Sequence, residues 1–318
     1  MDTKILISVE QLYRYYGHGH TLAVDSISFE LAQGEVLGFL GPNGAGKSTT
    51  MQMITGNLAP SSGRVRINGI DLLDEPKRAK AEIGYLPEQP PVYQDLTVDE
   101  YLDYCARLHR VSKGQRSQAL SNAKDRCGLG DVGRRLIGNL SKGFQQRVGI
   151  AQAILHSLSV VVLDEPTVGL DPNQIREIRT LIRELGESHG IILSTHILPE
   201  VQATCSRVQI IHRGKLVFAE TMQQLEQRLS SHALLLETHA ALKSSELEQL
   251  AGVTRVESLG SNRARLLFKD DNPADAVAAC VVSQGWELVE LSLDRQTLEQ
   301  VFVDLTCSDA PAPSGVAV

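Results

Sequence analysis

The run Gly41-Pro42-Asn43-Gly44-Ala45-Gly46-Lys47-Ser48-Thr49 constrains this chain more than any other feature. It matches G-x-x-x-x-G-K-[ST] and stands between an apolar stretch, Val36-Leu37-Gly38-Phe39-Leu40, and residues that fit a helix through Met51, Met53 and Ile54. Strand, glycine loop and helix in that order make a phosphate cradle. The glycines let backbone N–H groups fold around phosphate oxygens, and the helix start adds the positive end of its dipole. Lys47 neutralises β- and γ-phosphate oxygens, and the Ser48 hydroxyl is suited to ligate Mg2+. A chance match to the four fixed positions is expected on the order of once in a hundred chains of this size, so a plain glycine turn accounts for it poorly.

A second apolar run supplies the complementary chemistry. Val160-Val161-Val162-Leu163 ends in Asp164 and Glu165, where one acid can hold Mg2+ and the next can polarise a water. Alone, a strand ending in two acids is as well explained by a solvated strand exit; downstream of a phosphate loop it reads as function. With Ile191-Ile192-Leu193, these short unalternating runs are predicted to be central strands buried on both faces. Residues 1 to about 220 alternate strands and helices, as in a mostly parallel α/β sheet. Between about 95 and 155 the pattern is helical, with Thr97 as a cap and Glu100 three residues on.

The pattern changes near residue 222. Helix 222–229 is followed by strand 232–238, helix 244–250, strands 253–258 and 263–268, helix 273–284, strand 286–292 and a last helix at about 295–306. Without the first helix this is β-α-β-β-α-β, a ferredoxin-like order for a small α+β domain over 222–306. Residues 307–318 read as a flexible tail. At 318 residues, two domains agree with roughly 150 residues per domain.

Composition narrows the partners. With 31 Lys and Arg against 38 Asp and Glu, the net charge of −7 argues against a dedicated nucleic-acid binder, and no nucleic acid is expected. No stretch is apolar enough for a membrane span and the start lacks a signal pattern, so the expected location is the cytoplasm. The five cysteines are scattered and predicted reduced. Cys105 and His109 stand one helical turn apart, too few ligands to argue for zinc.

Taken in order, the phosphate loop, Asn139-Leu140-Ser141-Lys142-Gly143-Phe144-Gln145-Gln146-Arg147, Leu163-Asp164-Glu165-Pro166-Thr167-Val168-Gly169-Leu170-Asp171-Pro172 and Ser194-Thr195-His196 resemble the nucleotide-binding subunit of ABC transporters. The resemblance covers residues 1 to about 221 and implies a P-loop NTPase with a RecA-like core, an antiparallel β subdomain and a helical subdomain at about 95–155. It implies ATP and Mg2+ as ligands, and two subunits closing head to tail over two ATP molecules. Tyr16 resembles the aromatic that stacks on adenine, with Tyr13 and Tyr15 close by; a strand aromatic packed in a core is the plain alternative. Gly41, Pro42, Asn43, Gly44, Ala45, Gly46, Lys47, Ser48 and Thr49 match the ATP-binding loop, Asp164 the Mg2+-associated acid, Glu165 the general base, His196 the switch histidine and Asp171 the D-loop acid. Lys47, Glu165 and His196 are the implied catalytic set.

Two segments depart from the family pattern. The signature, usually Leu-Ser-Gly-Gly-Gln, is here Leu140-Ser141-Lys142-Gly143-Phe144, keeping the serine and second glycine that meet the opposed γ-phosphate. In Tyr85-Leu86-Pro87-Glu88-Gln89, either Glu88 or Gln89 takes the place of the usual metal-associated glutamine. These departures and the C-terminal domain resemble bacterial export-type ATPases, including the gliding-motility group and those serving copper and nitrous-oxide respiration. The implied partners are a separate membrane permease, reached through the 85–105 region, and a second ATPase subunit, identical or not, which together hold the chain at the inner membrane. The C-terminal domain is open between a dimerisation or permease-docking appendage and a ligand sensor. A soluble clamp acting on ribosomes or DNA is the other functional class; the acidic balance, the single cassette and the absence of a long heptad insertion disfavour it.

Overall fold

The computed structural model describes residues 4–17, 21–156, 158–229, 232–269, 271–294 and 300–303. Strands β1 (Ile5–Tyr16) and β2 (Thr21–Ala32) pair antiparallel with Ser8 opposite Glu30 and Val9 opposite Phe29. Along β2 the apolar Ile27, Phe29 and Leu31 are buried while Ser28 and Glu30 are exposed, the two-residue alternation of a sheet with one solvated face. Strands β4 (Ser62–Ile67) and β5 (Ile70–Asp71) extend this sheet, giving the order β2-β1-β4-β5.

The predicted central strands lie in a second sheet. β3 (Val36–Leu40), β6 (Ile83–Leu86), β7 (Val160–Asp164), β8 (Gly190–Thr195) and β9 (Arg207–His212) run parallel, and β10 (Lys215–Thr221) turns back antiparallel on β9. The order is β10-β9-β3-β8-β7-β6, and every residue of β3, β7 and β8 is buried. That is why these segments carry no alternation: helices cover both faces, so neither face has a polar requirement. α1 (Lys47–Ile54) follows β3, α2 (Pro76–Ala81) precedes β6, and α6 (Pro172–Gly186) and α7 (Leu198–Thr204) follow β7 and β8. The two sheets share one core, in which Phe29 meets Phe39 at 5.8 Å between ring centroids.

Between β6 and β7 the chain is helical. α3 (Val98–Leu108) starts in a reciprocal cap, with Thr97 Oγ1 accepting from Glu100 N and Glu100 accepting from Thr97 N. α4 (Lys113–Arg126) and α5 (Lys142–Ala153) complete the block, with short 3-10 turns at Gly130–Val132 and Ile137–Asn139.

The chain divides into two units, one ending at Met222 and the next beginning at Gln223. After α8 (Met222–Leu229), the second holds β11 (Ala233–Thr238), α9 (Ser244–Leu247), β12 (Val253–Ser258), β13 (Arg263–Phe268), α10 (Ala274–Ser283) and β14 (Leu288–Leu293). Its sheet order is β12-β13-β11-β14 with all neighbours antiparallel, which places β13 between the two strands joined through α9. Leu236, Leu266, Val277, Val281 and Trp286 lie in its core. Of the last predicted helix, 300–303 is helical; its other positions and the tail at 307–318 lie outside the described residues. Among the described residues no helix is long and apolar enough to cross a membrane.

Candidate functional site

The phosphate loop turns at the C-terminal end of β3. Gly46 has φ +107°, and a Cβ there would lie 2.5 Å from the Ala23 carbonyl oxygen. At Gly41 a Cβ would lie 2.5 Å from the Ile211 carbonyl oxygen, so backbone on two sides closes around the loop and only glycine fits. No side chain caps the start of α1, which leaves its N-terminal end to an anion. Lys47, 6% exposed, folds back so that Nζ donates to the carbonyls of Gly41 at 2.8 Å and Pro42 at 3.2 Å. The same ammonium stands 3.5 Å from Glu165 Oε1. A phosphate entering the loop competes for a cation that is already desolvated and aimed.

The ends of β7 and β8 build the opposite wall. Glu165 follows β7 with φ +49°, a left-handed conformation that costs a non-glycine residue free energy, and its N–H donates to Ser194 O at 2.8 Å. His196 follows β8 and places Nδ1 2.9 and 3.0 Å from the two Glu165 oxygens. An ionised carboxylate only accepts, so Nδ1 carries the proton in that contact. Asp164 is buried and its Oδ1 has no hydrogen-bond partner. Burial pushes its carboxyl above the ordinary range, while the Ser194 and Ser48 hydroxyls pull the other way. A buried acceptor without a donor, beside the Ser48 hydroxyl, suits a hard cation with oxygen ligands.

These groups face a cavity of about 520 Å3 lined by Asn43, Gly44, Gly46, Lys47, Ser48 and Thr49 on one side and Glu88, Glu165 and His196 on the other. The loop after β6 therefore brings Glu88, not Gln89, to the wall. Gly41, Pro42 and Ala45 form the loop behind it, and Asp164 lies at its base at the end of β7.

Other expected site residues lie elsewhere. Tyr16, at the end of β1, is 39% exposed and outside the cavity lining, with the Arg14 guanidinium 4.8 Å over its ring. Leu140, Ser141, Lys142, Gly143 and Phe144 are also outside it. Ser141 caps α5 by accepting from Phe144 N at 3.4 Å, and Lys142 Nζ lies over Gly169, where any side chain would collide with it. Asp171 caps α6, accepting from the N–H groups of Asn173 and Gln174 at 3.0 Å.

Sequence reasoning missed Glu200. It sits in the first turn of α7 and is 1% exposed. Its carboxylate accepts from Thr167 Oγ1 and, at 3.1 Å, from Thr195 Oγ1. The one available signal was an acid beside Leu198 and Val201 in a helix expected to pack on the sheet. A second cavity of about 720 Å3 lies against the α3 side of the helical block, walled by Tyr85, Pro87, Tyr93, Tyr101, Tyr104 and Leu108. Tyr93 meets Tyr101 and Tyr104 edge-on at 6.1 and 5.7 Å.

Residues 24–168 match the family model described as ABC transporter. The chain is 31% identical over 298 residues to the uncharacterized ABC transporter ATP-binding protein YxlF of Bacillus subtilis (strain 168), covering 94% of this chain and 98% of that one. It is 32% identical over 315 residues to the bacitracin transport ATP-binding protein BcrA of Bacillus licheniformis, covering 94% and 97%. A solved structure titled as the ATP binding subunit of an ABC transporter superposes with a TM-score of 0.63 at 31% identity, over 70% of this chain and 92% of that one.

Proposed function

Because the chain belongs to the ATP-binding proteins of ABC transporters, and is thus an ATP-binding P-loop ATPase with the ABC cassette fold, we propose that it hydrolyses ATP to drive export through a separate membrane permease. The observation that carries the site assignment is the Lys47–Glu165–His196 cluster at the mouth of the phosphate cavity. Lys47 and the loop N–H groups hold the β- and γ-phosphates. Glu165 takes a proton from a water as that oxygen bonds to the γ-phosphorus, and the bond to the β-phosphate oxygen breaks to release ADP. His196 holds the carboxylate in place and meets the γ-phosphate. Ser48, Asp164 and Glu88 are the groups that would hold Mg2+, which when bound neutralises charge on the β- and γ-oxygens.

The signature at Leu140–Phe144 points away from its own chain's cavity, which supports a site completed by a second subunit in a head-to-tail dimer, identical or not. Lys142 and Phe144 join that shared site, and Asp171 links the two sites. Tyr16 stacks on the base with the ring face that Arg14 leaves open. The aromatic cavity beside α3, with Tyr93 and Tyr104 exposed, is the docking groove for the permease, and through it the chain is held on the cytoplasmic side of the inner membrane. Export is supported by the Lys142 signature and the C-terminal α+β unit, features that resemble the gliding-motility, copper and nitrous-oxide group; a relative is named for bacitracin transport.

Glu165→Gln is the test. ATP affinity is expected to stay within about threefold while turnover falls by about a hundredfold or more, the scale of a lost general base. Unchanged turnover rejects Glu165 as the base. Recovery of the full chain with membranes supports the transporter role, and a salt-resistant ribosome fraction rejects it.

A further inference from the structure

Glu165 and His196 leave different strands, and their pairing at 2.9 to 3.0 Å requires the loops after β7 and β8 to keep a fixed separation. A third element sets it. Glu200, on α7, is fully enclosed and accepts one hydroxyl from each loop: Thr167, two residues beyond Glu165, and Thr195, immediately before His196. Thr195 Oγ1 in turn accepts from Ile197 N at 3.0 Å, which fixes the turn carrying the histidine, and Thr204 Oγ1 donates to Glu200 O at 2.6 Å, which fixes α7 itself. A buried carboxylate satisfied by two neutral hydroxyls is an expensive way to stabilise a helix end. Burial accordingly pushes the Glu200 carboxyl upward, partly offset by both threonines and Arg179. An apolar residue would fill the same space without that cost, but would not join the two loops.

We propose that Glu200 is a positioning residue for ATP hydrolysis, a carboxylate clamp that holds the Thr167 and Thr195 loops so that Glu165 and His196 meet over the γ-phosphate. The inference rests on the assignment of Glu165 and His196 above. The clamp touches neither nucleotide nor water, and its effect belongs to turnover rather than to ATP binding.

In the full-length chain, Glu200→Ala is expected to lower kcat by about tenfold or more with KM for ATP within about twofold, the signature of misplaced reacting groups. Glu200→Gln still accepts from one hydroxyl and donates to the other oxygen, so kcat is expected within about threefold of the parent. Thr167→Val is expected to lower kcat on its own and to add nothing to Glu200→Ala, because both cut the same link. An unchanged kcat in Glu200→Ala, equal losses in the Gln and Ala variants, or an additive Thr167→Val effect overturns the clamp. Should Glu200→Ala fail to fold, as read by circular dichroism, Thr167→Val decides by its own kcat, with no loss overturning the proposal. An inactive Glu165→Gln chain beside an active Glu200→Ala chain rejects the clamp alone; a Glu165→Gln chain that still turns over rejects the assignment beneath it.

Discussion

Gly46 carries two demands at one position, a left-handed backbone and the Ala23 carbonyl oxygen 2.5 Å from where a Cβ would stand. Neither can be relieved by rotating a side chain, since the obstacle is backbone of β2. Gly46→Ala is therefore expected to cost about 2 kcal/mol or more of stability and to weaken ATP binding at least about tenfold. Thermal melting with and without ATP checks it, and an unchanged melting temperature would mean that the loop yields. Glu165 shows the opposite case, a non-glycine residue held at φ +49° because its N–H is bonded to Ser194 and its carboxylate faces Lys47 and His196. The glycine spacing was legible in the sequence because one local loop sets it. The Glu165 conformation was not, because neighbours from two other segments impose it.

Helix starts connect residue choice to the site at the next scale. α3, α5 and α6 begin at Thr97, Ser141 and Asp171, and each side chain accepts a backbone N–H of its own first turn. The start of α1 has no such cap, and it is the one facing the phosphate cavity. Asp171 thus has a structural task that is independent of any second subunit. Asp171→Ala is expected to lose about 1 kcal/mol through the cap, whereas Asp171→Asn keeps the cap and the stability. Denaturant unfolding of both variants measures this. If Asn matches the parent in stability and still loses turnover, the charge serves the link between sites; if Ala is as stable as the parent, the cap contributes nothing. Thr97 with Glu100 was legible because a capping box spans four consecutive positions, while the place of α5 over Gly169 depends on residues far apart in the chain.

Across the whole molecule, buried titratable groups act with opposite signs. His156 stacks on His109 at 4.1 Å between ring centroids, and burial, reinforced by the His109 charge, lowers it to about 4. Below its ordinary pKa near 6.5 the unfolded chain binds a proton there that the folded chain refuses, so this group removes stability as pH falls from about 6.5 to about 4. Asp164 and Glu200, both raised by burial, work the other way, since the folded chain takes up their protons first as pH falls. His156→Asn is expected to show a smaller loss of melting temperature between pH 7 and pH 5 than the parent, and an equal loss removes His156 from this account. The sequence by itself determined the phosphate loop, the buried strands, the helical block and the βαββαβ order of the second unit, because each is written in short-range spacing of glycines, caps and apolar side chains. Only the tertiary structure decided that β3 lies between β8 and β9, that Glu88 rather than Gln89 reaches the cavity, and that Glu200 joins the loops of Thr167 and Thr195. Those choices depend on which distant segments share a buried space, and burial sets a partner for each polar group that linear spacing does not name.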